Sequence, residues 1–201
     1  MEFLTTLTEF IFLNLLFLIC CLPIVTIGAA LSAMYSVCLQ EARKEYGYKI
    51  RSFIKNFKLN FLPSTGLFVI LFAVLAILLF NLEFWFHLNT IVGNVLFVVL
   101  LIPTFCFVVG FIYAFPLIAR FQNNIRQTIK NSILLALMNR KATFLLLLTH
   151  ILFILFAFFI PKSGIIILFV GFSFFIYLNS IILLKVFRPY EEADENPKME
   201  S

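Results

Sequence analysis

The sequence predicts an all-α integral membrane bundle, and three observations carry that prediction. Of the 201 residues, 12% are charged and 63% hydrophobic, with a mean hydropathy of +1.08. A soluble domain carries about a quarter charged residues, so this chain cannot cover itself with a hydrated surface. Residues 10–40, 88–119 and 163–184 contain no Asp, Glu, Lys, Arg or His; residues 64–82 are also uncharged, and 142–161 hold only His150. A spanning helix needs about 20 mainly apolar residues, so these five runs predict at least five spans. Finally, Lys and Arg are confined almost entirely to the segments between runs.

The first run is read as a transmembrane element. The first ten residues of the sequence hold no Lys or Arg, and the run is too long for the apolar segment of a cleavable leader. As a straight helix it would be roughly 46 Å long, against a hydrocarbon core of about 30 Å. Pro23 and Gly28 are placed to break it. The expectation is one kinked span. The rival is a hairpin turning between residues 23 and 28, which would give six spans. The run at 88–119 has the same excess length, with Pro103 or Pro116 as its expected break.

Orientation follows from the cations. Arg43, Lys44, Lys49, Arg51, Lys55 and Lys58 lie between the first and second runs. Arg120, Arg126, Lys130, Arg140 and Lys141 lie between the third and fourth, and Lys185, Arg188 and Lys198 follow the fifth; Lys162 is left over. Cytoplasmic loops are enriched in Lys and Arg. Five spans then put the N-terminus outside and the C-terminus in the cytoplasm. The outer connections are short: residues 81–88, with Phe84, Trp85 and Phe86 as an interfacial aromatic group, and residues 161–164, a Pro/Gly turn. Glu9, Glu83 and His87 fall near that outer boundary and read as solvated interface residues.

The two basic loops share a motif. Residues 50–56 and 125–131 both read I-R-x-x-I-K-N, and each follows a long proline-containing run and precedes another span. This predicts a parallel repeat over about 10–87 and 88–161, with a final helix at 163–187, the whole forming one domain over 1–190. Each loop is amphipathic: Ile50, Phe53, Ile54, Phe57 and Phe61 fall on one helical face and Arg51, Lys55 and Lys58 on another. Ile125 and Ile129 repeat the pattern. Such helices lie in the membrane interface, with Arg51, Lys55, Asn56, Arg126, Lys130 and Asn131 as the residues that meet lipid headgroups or a cytoplasmic partner. Nucleic acid is not the expected partner of this basic chain, because positive-inside topology already accounts for its cations.

Residues 14–30, N-L-L-F-L-I-C-C-L-P-I-V-T-I-G-A-A, together with 53–61 and 125–135, resemble the YesL-like family of bacterial multi-pass membrane proteins of unknown function. The resemblance runs over roughly residues 8–190. It implies a bacterial cell-membrane protein without an assigned activity, associated with carbohydrate uptake and breakdown. Many relatives carry basic residues before the first span, and this chain carries none.

Pro23, Thr26, Gly28 and Ser32 form the most distinctive local cluster. A proline removes a backbone donor, a threonine hydroxyl can satisfy a freed carbonyl, and Gly28/Ser32, like Ala29/Ala33, is a small-residue pair that lets helices approach. The expected role is a break and packing seam; the functional alternative is a broken helix lining a substrate cavity. His150 is the intramembrane polar candidate, with Asn14 or Asn179 as its expected partner if either faces it. Cys20, Cys21, Cys38 and Cys106 lie inside apolar runs and read as packing groups, with no zinc spacing. No nucleophile triad or phosphate loop stands out, so neither an enzyme nor a cofactor is expected. Residues 41–47, E-A-R-K-E-Y-G, are weakly similar to the coupling motif of importer permeases, and read first as an ordinary helix start. Residues 191–201 form an acidic tail expected to be disordered.

These readings converge on a non-enzymatic accessory component of a bacterial carbohydrate-uptake system, partnered by the bilayer and by transporter subunits. The alternative is an autonomous small-solute transporter.

Overall fold

The computed structural model describes residues 2–45, 47–88, 90–121, 123–160 and 163–195. It is built of helices: α1 Glu2–Cys21, a 3-10 turn Ile24–Thr26, α2 Ile27–Ala42, α3 Lys49–Leu59, α4 Phe61–His87 and α5 Ile91–Arg120. Then follow α6 Ile125–Met138, α7 Arg140–Phe159, the short α8 Ser163–Ile166, a π-helical segment Ile167–Gly171, and α9 Phe172–Glu195. Five of the described helical stretches are long and apolar enough to cross a membrane: Ile24–Ala42, Phe61–His87, Ile91–Arg120, Arg140–Phe159 and Gly164–Glu191. Thr6–Cys21 is a shorter apolar helix.

The first apolar run is not one kinked span. Pro23 sits in extended backbone (φ −77°, ψ 119°), and the chain leaves α1 there. The Thr26 hydroxyl lies 2.5 Å from the Cys20 carbonyl and 2.7 Å from that of Pro23, so the broken end keeps hydrogen-bond partners. The chain then folds back. The Lys49 ammonium lies 2.7 Å from Glu9 in α1 and 3.3 Å from Glu41 at the end of α2. The two ends of the run therefore meet at one cation, which makes α1, the turn and α2 a hairpin. Glu9 consequently sits with the basic loop, not at the aromatic boundary as expected for a single crossing.

The other breaks move as well. α5 is continuous through Pro103 and Pro116. The Thr104 hydroxyl donates to Leu100 O at 2.8 Å, within the turn around Pro103. α4 extends through the aromatic group to His87, where His87 and Glu83 pair at 2.8 Å across one helical turn. That leaves a connection of only a few residues before Thr90, whose hydroxyl caps α5 by accepting from Gly93 N at 3.1 Å. The last helix continues to Glu195, so the acidic segment begins helical; residues 196–201, with Lys198, lie outside the described residues. Pro161 and Lys162 of the expected turn lie outside them too.

α2 is the core helix. Gly28, Ala29, Ala30, Ser32, Ala33, Met34, Tyr35, Val37 and Cys38 are all buried within it. Small residues make this possible by letting neighbouring backbones come close. α3 packs on α2 and leads into α4; α6 packs on α5 and leads into α7. Phe53 of α3 is fully buried, while Gly110 of α5 receives Ile133 and Ser132 of α6. Tyr113 of α5 bonds Thr143 of α7 at 3.0 Å.

Candidate functional site

Charge gathers where α1, α2, α3, α5 and α9 meet. Lys49 bridges Glu9 and Glu41 and lies 5.2 Å over the ring of Phe10. Two residues beyond Glu41, Arg43 pairs with Glu191 of α9. Glu191 also accepts from Arg120 Nε at 2.8 Å. Arg43 further approaches Glu45 at 3.8 Å. The Lys49–Glu41 and Arg43–Glu191 pairs are largely buried, whereas Glu9, Arg120 and Glu45 reach solvent, so the first two are the poorly hydrated ones. The sequence reading did not single out this network. Its signal was present: Glu9 and Glu41 flank the 10–40 run symmetrically, as the two ends of a hairpin must.

Next to the network, α3 and α6 turn cations outward. Arg51, Lys55, Lys58, Arg126 and Lys130 are exposed, and among the described residues they have no hydrogen-bond or ion-pair acceptor. Asn56 is turned inward to its own helix, its amide donating to Ser52 O at 2.9 Å. Asn131 is half-buried on α6, beside a groove it shares with Leu117, Leu135 and Tyr190. Glu41 of the E-A-R-K-E-Y-G stretch is engaged by Lys49, and Ala42 ends α2.

The helix break and His150 share a cavity. A space of about 660 Å³ is bordered by Cys21, Ile27 and Leu31 on the hairpin side and by His150, Phe172 and Phe175 on the other. Its wall is almost wholly aromatic and aliphatic, with Tyr35 and His150 as polar exceptions. His150 finds neither expected partner. Its Nδ1 lies 2.7 Å from Leu146 O, and its ring meets Phe175 edge-on at 4.8 Å. Asn179 instead accepts from the Thr149 hydroxyl at 2.7 Å.

Asn14 is committed to the π-helical segment. Its amide donates to Ile167 O (3.1 Å) and Leu168 O (2.7 Å), and its oxygen accepts from Ser173 N at 2.9 Å. One side chain thus ties α1 to both sides of the π-helical segment. Pro23 and Thr26 make the break already described. Gly28 lies against α4, where an added Cβ would stand 2.4 Å from Ser64 O, and Ser32 bonds Ala29 O at 3.2 Å. The four cysteines are free thiols, and among the described residues no group of three or more His, Cys, Asp or Glu could hold a metal ion.

Such a chain, with five helices of spanning length and composition, is a multi-pass helical membrane protein. Residues 10–82 match the family model described as protein of unknown function, DUF624. That match covers the second half of α1, α2, α3 and most of α4, which includes the helix break, Lys49 and Glu41. No curated protein and no solved structure matches the chain.

Proposed function

We propose that the chain is a non-enzymatic accessory component of a bacterial carbohydrate-uptake system. It sits in the cell membrane with its basic end and its C-terminus in the cytoplasm. The cationic face beside the ion-pair network carries this reading. Glu9, Glu41 and Glu191 are occupied internally, so they cannot neutralise the outward cations of α3 and α6. A fixed, net positive face of this kind suits attachment at the membrane surface and to neighbouring subunits. Its placement in the cytoplasm follows from the positive-inside rule. The link to carbohydrate uptake comes from the resemblance to the YesL-like family. Isolation of the tagged protein from native membranes in mild detergent tests it: recovery of sugar-transporter subunits in fixed ratio is expected, and a monodisperse, partnerless protein would overturn it.

A second reading, an autonomous small-solute transporter, is favoured by the cavity that joins the broken hairpin to His150. The apolar wall of that cavity suits a sugar poorly, which ranks this reading second. Substrate flux in proteoliposomes holding this protein alone would promote it. No flux across a broad sugar and ion panel, with folded protein, would remove it.

A further inference from the structure

We propose that the two copies of I-R-x-x-I-K-N form twin sites for an anionic phospholipid, each taking one phosphate headgroup and the upper part of an acyl chain. The inference rests on the membrane placement and assigns to lipid the same cations that the accessory reading offers to a neighbouring subunit, so the two are told apart by the test below.

The same four motif positions build two separate grooves. On α3, Ile50, Arg51, Ile54 and Lys55 line a shallow groove of about 670 Å³, edged by Tyr48 and Lys58. On α6, Ile125, Arg126, Ile129 and Lys130 line one of about 530 Å³, whose far wall is Ile70 of α4. The repeat therefore recurs in space for four of its five residues: Ile, Arg, Ile and Lys border a concavity in both copies, while Asn56 and Asn131 lie outside it.

The chemistry of each groove is amphiphilic. Arg and Lys four residues apart on a helix have Cβ atoms about 5–6 Å apart, close enough to converge on one phosphate. The guanidinium offers a planar fork and the ammonium a compact charge, a combination that suits phosphate oxygens. Each cation follows an isoleucine, so an apolar ridge runs beside the cationic one. Ile50 is 41% exposed, Ile54 42% and Ile70 44%. A soluble anion or an acidic peptide has no use for that ridge, whereas a lipid covers it with its chain. Ile70 belongs to a spanning helix, so the wall of the second groove continues into the hydrocarbon. From the first groove, the strongly exposed Leu59 and Leu62 lead onto the same helix, α4.

The fold also separates these cations from its structural ones. Lys49, Arg43 and Arg120 stand close by and are consumed by Glu9, Glu41 and Glu191. Arg51, Lys55, Arg126 and Lys130 are left without an acceptor among the described residues. Among the described residues nothing neutralises them, which leaves both grooves open to an anion.

The test counts lipids. The full chain is purified in mild non-ionic detergent, titrated with phosphatidylglycerol or phosphatidylcholine, and examined by native mass spectrometry. Two tightly held phosphatidylglycerol molecules are expected, with no matching pair of phosphatidylcholine. Arg51→Ala with Lys55→Ala should leave one, Arg126→Ala with Lys130→Ala should leave one, and the fourfold variant none. The affinity lost at each altered site is about 30-fold. Arg126→Lys with Lys130→Arg keeps both charges and should retain the second lipid, which separates loss of charge from loss of fold. Equal binding of the two lipids, an unchanged count in the fourfold variant, or displacement of phosphatidylglycerol by equimolar inorganic phosphate would overturn the proposal. So would variants that shed a companion protein while keeping both lipids, since the cations would then serve that protein.

Discussion

Gly28 and Gly110 show how much a single missing side chain decides. A Cβ on Gly28 would meet Ser64 O at 2.4 Å and Phe68 Cβ at 2.6 Å, neither of which can move without shifting α4. A Cβ on Gly110 would meet the Ile133 Cγ1 at 2.8 Å, the branch of a side chain that can adjust more readily. Gly28→Ala should therefore lower stability by about 1–3 kcal/mol and Gly110→Ala by less, measured as thermal unfolding in detergent. Asn14→Leu removes three hydrogen bonds, to Ile167 O, Leu168 O and Ser173 N; a loss of about 1–3 kcal/mol is expected in the same assay. The sequence reading named Gly28 and Ser32 as a seam because spacing alone shows a small-residue pair. It assigned Asn14 to His150 as a possible partner, and there it failed. Which buried amide meets which carbonyl depends on where a π turn falls, and no local pattern in residues 163–172 announces one.

At the scale of the element, the hairpin is the main correction. The break at Pro23 was legible, since proline cannot continue the hydrogen-bond ladder. Its consequence was not, because a kinked span and a reversal begin with the same proline. The choice is made elsewhere, by a lysine more than twenty residues on that collects Glu9 and Glu41. A sidedness experiment checks this. With the native cysteines replaced, Leu7→Cys should label from the same side as Lys58→Cys and from the opposite side to Phe84→Cys. Labelling of position 7 together with position 84 would restore the single crossing. The second device at this scale is the clasp of α2, α5 and α9. Glu191→Gln removes the charge shared by Arg43 and Arg120, and should cost about 1–2 kcal/mol after allowance for the partial exposure of Arg120. The loss should shrink in high salt for the Arg120 arm more than for the more buried Arg43 arm.

For the whole molecule, the helical membrane bundle was readable because composition leaves no other solvent for it. The run lengths found the spanning helices, with one exception of definition: the run at 10–40 supplies both a spanning stretch and a shorter partner helix. α4 is longer than its uncharged run because helices do not stop at the first polar residue. Glu83 and His87 continue α4 by pairing with each other across one turn. The basic helices were found because the same seven-residue pattern occurs twice. The ion-pair network was not found, since its members come from five elements and no spacing in sequence links them. The tail began as a helix for the same reason: Glu191 answers two arginines that lie 71 and 148 residues away in the chain.

The bond from Asn14 to the π segment has a further consequence, for biosynthesis. Its partners lie 153, 154 and 159 residues downstream. At about 5–20 residues per second, a ribosome needs roughly 8–30 s to deliver them after Asn14 has emerged. Throughout that interval the first helix carries an unanswered amide into the bilayer on a stretch shorter than a normal span. Its permanent seat is made only when the last helix arrives, so the beginning of this protein is finished by its end.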